Sequence, residues 1–289
     1  MSDRPDVSFR VRLVASDLDG TLLTRSGEVS PRTHEALARA RSAGVVVVAV
    51  TGRPPRWVDH LAPALGPGLA ICANGAIVVD LPSGAVVEEH SLEPVVAREV
   101  VRRLESALPG AAFAVERGRD FAFEAAWVER LPPERAGAEI VRSLLDSREA
   151  LTAEPVAKVL AWVKGERGDR LIERATEAVG DAAVVTASSY QELVEVSAPG
   201  VTKATTLARL CQDRGIDRAD VVAFGDARND VAMLDWAGWG VATADAHPAA
   251  LAVADDVTDT CDHDGVAAWL ERHLPEAAPA PSSRPPHPI

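Results

Sequence analysis

Cysteine is scarce in this sequence, and the three present, Cys72, Cys211 and Cys261, are odd in number and widely separated. That spacing builds neither a disulfide framework nor a thiolate zinc site, so a reducing compartment and three small buried side chains are expected. Aromatic residues make up only 4% of the chain, which argues against recognition of nucleic acid by base stacking. Positive charge is short as well: 30 Lys and Arg face 43 Asp and Glu, a formal charge of −13. A surface of that sign repels nucleic acid and anionic membranes as main partners, while a local pocket can still take a small anion. The longest apolar run, "AGVVVVAV", is far below the roughly 18 residues that span a bilayer, and no signal-peptide pattern opens the chain. A cytoplasmic location is the resulting expectation. Nor do His34, His60, His90, His247 and His263 show metal-ligand spacing.

What is present is an ordinary globular composition, 47% apolar and 25% charged, over 289 residues. That length exceeds the prior of about 150 residues for one domain, so two are expected. Short apolar runs alternate with amphipathic stretches. "VRLVAS" leads into "SPRTHEALARARSAG", where Ser30 fits an N-cap, Pro31 the first helical position and Gly44 a stop. "VVVVAV", "LAICANGAIVVD", "DVVAFGD" and "WGVAT" read as further strands. "TKATTLARLCQDRG", "DVAMLDWAG" and "DGVAAWLERHL" read as helices. Continuous β-branched runs joined by helices indicate a doubly wound, Rossmann-like parallel sheet of α/β class, covered on both faces.

Residues 83–197 read differently. Alternating segments such as "AAFAVERG", "VAKVLAWV", "AAVVTAS" and "QELVEVS", separated by "EPVVAREVVRRLESAL" and "GDRLIERATEAVG", indicate an inserted α+β domain with an antiparallel sheet. The core is then 9–82 plus 198–274, with crossings near Leu81 to Gly84 and Ala198 to Gly200. Residues 1–8 and the Pro-, Ala- and Ser-rich 275–289 are expected to be disordered.

In an open parallel sheet, ligands bind beyond the carboxyl ends of the strands. There the first strand delivers Asp17 and Asp19, the second Thr51, Gly52 and Arg53, the third Asn74 and Gly75, and the late strand Asp226, Asn229 and Asp230. Several carboxylates in one small volume repel unless a cation neutralises them, and an all-oxygen donor set favours a hard ion such as Mg²⁺. Thr51, Lys203 and the backbone N–H groups near Gly20 are donors suited to a phosphoryl group. Each residue alone has a blander reading. Asp-x-Asp, Thr51, Asn229 and Asp230 are common turn or cap residues, and Lys203 is a surface lysine by default. Asp264 is an expected N-cap, Asn74 either a turn residue or a lining of the entrance, and Trp127, Trp162 and Trp269 are packing.

Four motifs in order, "DLDGT", "VTGR", "GVTK" and "GDARND", together with "CANGA" and "DGVAAWL", resemble the haloacid dehalogenase superfamily, and within it the Cof-type phosphatases with a large inserted cap. The resemblance implies that Asp17 is the nucleophile forming an aspartyl-phosphate and that Asp19 is the acid and base, protonated through crowding by like charges. It further implies Mg²⁺ on Asp17, Asp226 and the Asp19 backbone carbonyl, with Asp230 orienting bound water. Thr51, Gly52, Lys203 and Asn229 would hold phosphoryl oxygens. The chain departs from the family's usual Gly-Asn-Ala stretch at Ala244 and Asp245. The implied function is hydrolysis of a small-molecule phosphate ester, a sugar phosphate or phosphorylated cofactor. A phosphomutase and a non-catalytic phosphometabolite sensor are the alternatives. The sequence leaves the oligomeric state open.

Overall fold

The computed structural model describes residues 10–130, 147–166, 168–186 and 192–274. Both expected terminal tails, 1–8 and 275–289, lie outside the described residues. The apolar runs form strands β1 (Leu13–Ser16), β2 (Val46–Val50) and β3 (Leu69–Cys72), then β11 (Val221–Gly225) and β12 (Trp239–Thr243). With β4 (Ile77–Asp80), β5 (Val86–Glu89) and β13 (Asp256–Thr258) they make one eight-stranded sheet, ordered β13-β12-β11-β1-β2-β3-β4-β5. The six strands from β13 to β3 are parallel, and β4 and β5 are added antiparallel.

Alternate residues of one strand serve opposite faces. Leu13, Ala15, Val48, Val50, Val221 and Ala223 pack with Leu207, Cys211, Met233 and Ala250 from the helices Lys203–Asp213, Val231–Trp236 and Pro248–Val253. Val14, Val47, Val222 and Phe224 pack with Leu37, Ala40, Val266 and Trp269 from helices Pro31–Ser42 and Gly265–His273. Burial on both sides is why these strands read as unbroken apolar runs. All three cysteines are buried, and burial pushes the thiols of Cys72 and Cys211 up to about 12 and about 11.

Local chemistry starts the first helix as expected: the Thr33 N–H donates to Ser30 Oγ at 3.0 Å, and Pro31 follows. Asp264 stands at the N-cap position of Gly265–His273 but makes no cap bond. Its Oδ1 instead accepts from Ser30 Oγ at 2.5 Å and Thr33 Oγ1 at 3.4 Å, tying the two helices together.

The inserted part forms a five-stranded antiparallel sheet, ordered β7-β6-β8-β10-β9. Its strands are β6 (Ala112–Arg117), β7 (Asp120–Phe123), β8 (Lys158–Trp162), β9 (Val184–Thr186) and β10 (Leu193–Ser197). Helices Pro94–Ala107 and Asp169–Val179 cover one face, burying Val100, Leu104, Leu171 and Ala175 against Phe113, Val115, Val159 and Val194. The other face carries Ala112, Ala114, Leu160 and Trp162, and on the same alternation Glu116, Lys158 and Glu195.

Two features of the first crossing differ from the sequence reading. "LAICANGAIVVD" is a hairpin rather than a single strand, because Ala73, Asn74 and Gly75 take φ of 53°, 57° and 109° and reverse the chain. β5 then pairs with β4, so the larger sheet runs past the crossing placed near Leu81 to Gly84. The amphipathic exposure of β5, with Val86 and Glu88 half-buried and Val87 and Glu89 exposed, is that of an edge strand.

Candidate active site

The loops after β1, β2 and β11 and the start of helix Lys203–Asp213 meet at one end of the larger sheet. Helix Lys203–Asp213 is held in place by a reciprocal cap: the Thr205 N–H donates to Thr202 Oγ1 at 3.1 Å, and the Thr202 N–H donates to Thr205 Oγ1 at 2.9 Å. A close approach fixes it against the β3–β4 hairpin, since a Cβ at Gly75 would sit 2.3 Å from the Thr202 carbonyl oxygen. Its first residue, Lys203, is 1% exposed and donates to Asp17 Oδ1 at 2.6 Å and to Asp230 Oδ1 at 2.7 Å.

Asp17, Asp226 and Asp230 form the acidic cluster, with one carboxylate oxygen from each within 4.8 Å of the others. Gly20 lets the chain turn back after β1, at a φ of +81°, and a Cβ there would lie 2.5 Å from Asp226 Oδ2. Thr21 Oγ1, one residue on, donates to Asp226 Oδ1 at 2.8 Å. Asp230 is fully buried, and its Oδ2 accepts from the N–H groups of Asp226 at 3.2 Å and Ala227 at 2.9 Å. The cap role expected of Asp230 thus becomes support of the loop that carries Asp226.

Burial, then the charge of Asp230, raises the Asp17 carboxyl well above its ordinary range against the opposing pull of Lys203. The same two causes push Asp226 up to about 6, with the Thr21 hydrogen bond opposing them. Burial would lower the Lys203 ammonium, but Asp17 and Asp230 overrule it and the net shift is upward. Three carboxylates against one ammonium leave the cluster short of positive charge. An oxygen-only donor set with that deficit fits a divalent hard cation such as Mg²⁺.

Asp19 stands apart from this cluster. Arg53 holds it in a bidentate pair, Nε to Oδ2 at 2.7 Å and Nη2 to Oδ1 at 2.6 Å, with the Asp19 side chain 57% exposed. The expected crowding by like charges is therefore replaced by an opposite charge. Thr51 is 1% exposed and its Oγ1 accepts from the Arg53 N–H at 3.1 Å. Asn229 Nδ2 donates to Asn74 Oδ1 at 3.0 Å, while its buried Oδ1 has no hydrogen-bond partner among the described residues. Asp245, at the family departure, pairs with exposed Arg25 at 3.3 Å.

The inserted sheet closes over these loops. Glu116 forms a bidentate pair with Arg56, Lys158 Nζ donates to the Gly52 carbonyl at 3.0 Å, and Glu195 Oε2 accepts from Asn74 Nδ2 at 2.7 Å. Lys158 Nζ also lies 3.3 Å from Glu195 Oε1. None of Arg56, Glu116, Lys158 and Glu195 was singled out from the sequence. A usable signal existed: one buried charge in each of "AFAVER", "KVLAW" and "LVEVS", strands whose other buried positions are apolar but for Ser197.

The model of the haloacid dehalogenase-like hydrolases matches residues 14–270. The pyridoxal phosphate phosphatase YbhA of Escherichia coli (strain K12) is 30% identical over 280 residues, covering 91% of this chain and 98% of that protein. The HMP-PP phosphatase of Cronobacter sakazakii is 28% identical over 269 residues, covering 91% of this chain and 96% of that protein. Among solved structures, a haloacid dehalogenase-like hydrolase from B. subtilis superposes with a TM-score of 0.76 at 26% identity, covering 91% of this chain and 100% of that one. No helix among the described residues is long and apolar enough to cross a membrane. With the match running through both halves of the core and across the inserted sheet, the chain belongs to the haloacid dehalogenase-like hydrolases, in their branch of Cof-type phosphatases with an inserted α+β cap.

Proposed function

We propose that the protein is a Mg²⁺-dependent phosphatase that hydrolyses a small phosphorylated metabolite through an aspartyl-phosphate on Asp17. The observation that carries this reading is the buried, charge-deficient cluster of Asp17, Asp226 and Asp230 around Lys203. Binding alone does not call for three carboxylates forced together at such electrostatic cost. The relatives act on pyridoxal phosphate and HMP-PP by name, and both point to compact phosphate esters as the substrate class.

In the first step Asp17 attacks phosphorus through a carboxylate oxygen as the bond to the leaving oxygen breaks, and Asp19, which takes up a proton from solvent once it has parted from Arg53, delivers that proton to the leaving oxygen. In the second, Asp19 removes a proton from water, the water oxygen bonds to phosphorus and the Asp17–phosphorus linkage breaks. Free phosphate leaves, Asp17 is again a carboxylate and Asp19 again carries a proton for the next turnover. Asp19 has to part from Arg53 to do this, which frees the guanidinium for a phosphoryl oxygen. Asp17, Asp226 and the Asp19 backbone carbonyl would hold Mg²⁺, whose charge counters that of the carboxylates and the transferring group. Lys203, Thr51 and the Gly52 backbone hold phosphoryl oxygens, and Asp230 keeps Lys203 and the Asp226 loop in register. Asn229, bonded to Asn74, is assigned to anchoring its loop rather than to phosphate. The cap excludes bulk water when closed.

The test is phosphate release from a panel of phosphorylated metabolites with Mg²⁺, with a chelator and with Asp17→Asn. Free phosphate from the wild type separates hydrolysis from a phosphomutase and from a sensor. Asp17→Asn is expected to lower kcat on the order of 10³-fold or more while far-UV circular dichroism stays unchanged. A variant with near-normal turnover removes Asp17 from the mechanism.

A further inference from the structure

We infer that Lys158 and Glu195 of the cap are positioning residues for hydrolysis: when the cap is seated, Lys158 clamps the Gly52 carbonyl and sets the Gly52–Arg53 peptide, whose N–H fixes the Thr51 hydroxyl that faces the phosphoryl group. This rests on the reading above that Thr51 and Gly52 bind phosphoryl oxygens.

Lys158 is the first residue of β8, where Val159, Leu160, Ala161 and Trp162 follow, and it is only 2% exposed. Taking an ammonium out of water costs several kcal/mol unless its partners repay it. The partners here are Glu195 Oε1 at 3.3 Å and the Gly52 carbonyl at 3.0 Å. If adhesion of cap to core were the only need, pairs at the rim would serve. Arg228 with Asp169, 2.7 Å apart with side chains 45% and 49% exposed, already provides one, and Arg119 with Asp59 provides another.

The Gly52 carbonyl belongs to the same peptide unit as the Arg53 N–H. That unit is planar, so a donor that fixes its oxygen fixes the opposite direction of its N–H. The Arg53 N–H points back to Thr51 Oγ1, at 3.1 Å. One ammonium from the cap thereby orients both the peptide and the Thr51 hydroxyl.

Glu195 extends the arrangement to the other side of the site. Its Oε2 accepts from Asn74 Nδ2 at 2.7 Å, and Asn74 Oδ1 accepts from Asn229 Nδ2 at 3.0 Å. Asn229 precedes Asp230 in the loop that carries Asp226. A continuous path, Gly52–Lys158–Glu195–Asn74–Asn229, therefore links the loop after β2 to the loop after β11, and its second and third members, Lys158 and Glu195, come from the cap. Thr186 of β9 reinforces the path by accepting from Asn74 Nδ2 at 2.9 Å. Seating the cap and ordering the phosphate-facing loops become one event.

The experiment compares wild type with Lys158→Met, Lys158→Arg and Glu195→Gln on the full chain. Two readouts are taken: amide hydrogen exchange of the segment 51–57, and steady-state hydrolysis of p-nitrophenyl phosphate with Mg²⁺. Lys158→Met is expected to speed exchange at Gly52 and Arg53 about tenfold and to lower kcat about tenfold, with KM within about threefold, and Lys158→Arg to recover most of both. Glu195→Gln is expected to produce a smaller change of the same pattern, and it decides the matter if Lys158→Met does not fold. Unchanged exchange in 51–57 overturns the inference. So does equal acceleration along β6 and β10, which would make Lys158 a simple adhesive. Failure of the wild type to release phosphate from any substrate would sink the proposed function, and the exchange readout would still decide the clamp.

Discussion

The floor of the cleft and the seam above it are both buried and both charged, yet they are balanced differently. On the floor, Asp17, Asp226 and Asp230 stand together and Lys203 alone among the described residues forms ion pairs there, with Asp17 and Asp230, while burial and then the charge of Asp230 drive the carboxyls of Asp17 and Asp226 upward. In the seam, Arg56 faces Glu116 and Lys158 faces Glu195, one cation for each carboxylate. Burial still raises the Glu116 carboxyl, but Arg56 opposes that rise directly. An unbalanced cluster is one that a further cation and a ligand complete. A balanced one is complete when two parts of the chain meet, and its natural use is closure.

The largest test of that contrast is Lys203→Met. Removing the one ammonium leaves Asp17 and Asp230 buried and unpaired, which is expected to cost about 3–5 kcal/mol of stability in urea unfolding without metal. Added Mg²⁺ should return part of the loss, because it supplies charge to the same carboxylates. If the variant were as stable as wild type, the floor would not be an electrostatic deficit at all.

Glu116→Gln tests the seam and should cost less, about 2 kcal/mol, because the Arg56 side chain is 23% exposed and water partly compensates it. The double variant Glu116→Leu with Arg56→Met is expected to recover most of that stability in the same urea titration, since both charges leave together. Such recovery sets the seam apart from the floor. A double variant no better than the single would mean that the pair contributes through shape rather than charge.

The smallest expected effect is on pH dependence. Asp226 has a folded value of about 6 against an ordinary 3.8. A carboxyl raised by folding binds its proton more tightly in the native state, so its contribution to stability is fully present below about 4 and is lost as pH rises toward about 6. Mg²⁺ needs the ionised carboxylates, so its stabilisation runs the opposite way. The thermal shift on adding Mg²⁺ should therefore be larger at pH 7.5 than at pH 5, measured by scanning calorimetry. Equal shifts at both values would remove Asp226 from metal binding.

Much of this was legible in the chain. Apolar runs covered on both faces announce a parallel sheet, and Ser30 with Pro31 announces a helix start, because both signals arise within a few residues. The motif residues stand at strand ends for the same reason. Gly20 is the clearest case: a left-handed turn and close contact with Asp226 leave no room for a side chain. The partners of those residues were not legible. Asp19 was expected among like charges and is paired with Arg53, while Asp264 was expected to cap its own helix and reaches Ser30 instead.

The sequence by itself determined the elements, their order and the chemical types gathered at the strand ends, because periodicity, capping and backbone freedom are properties of short segments. Only the tertiary structure decided which charge meets which. Asp17 and Lys203 are 186 positions apart, and Gly52 and Lys158 are 106 apart. The energy of such pairs depends on distance and on the loss of water around them, and neither quantity exists until the chain has folded.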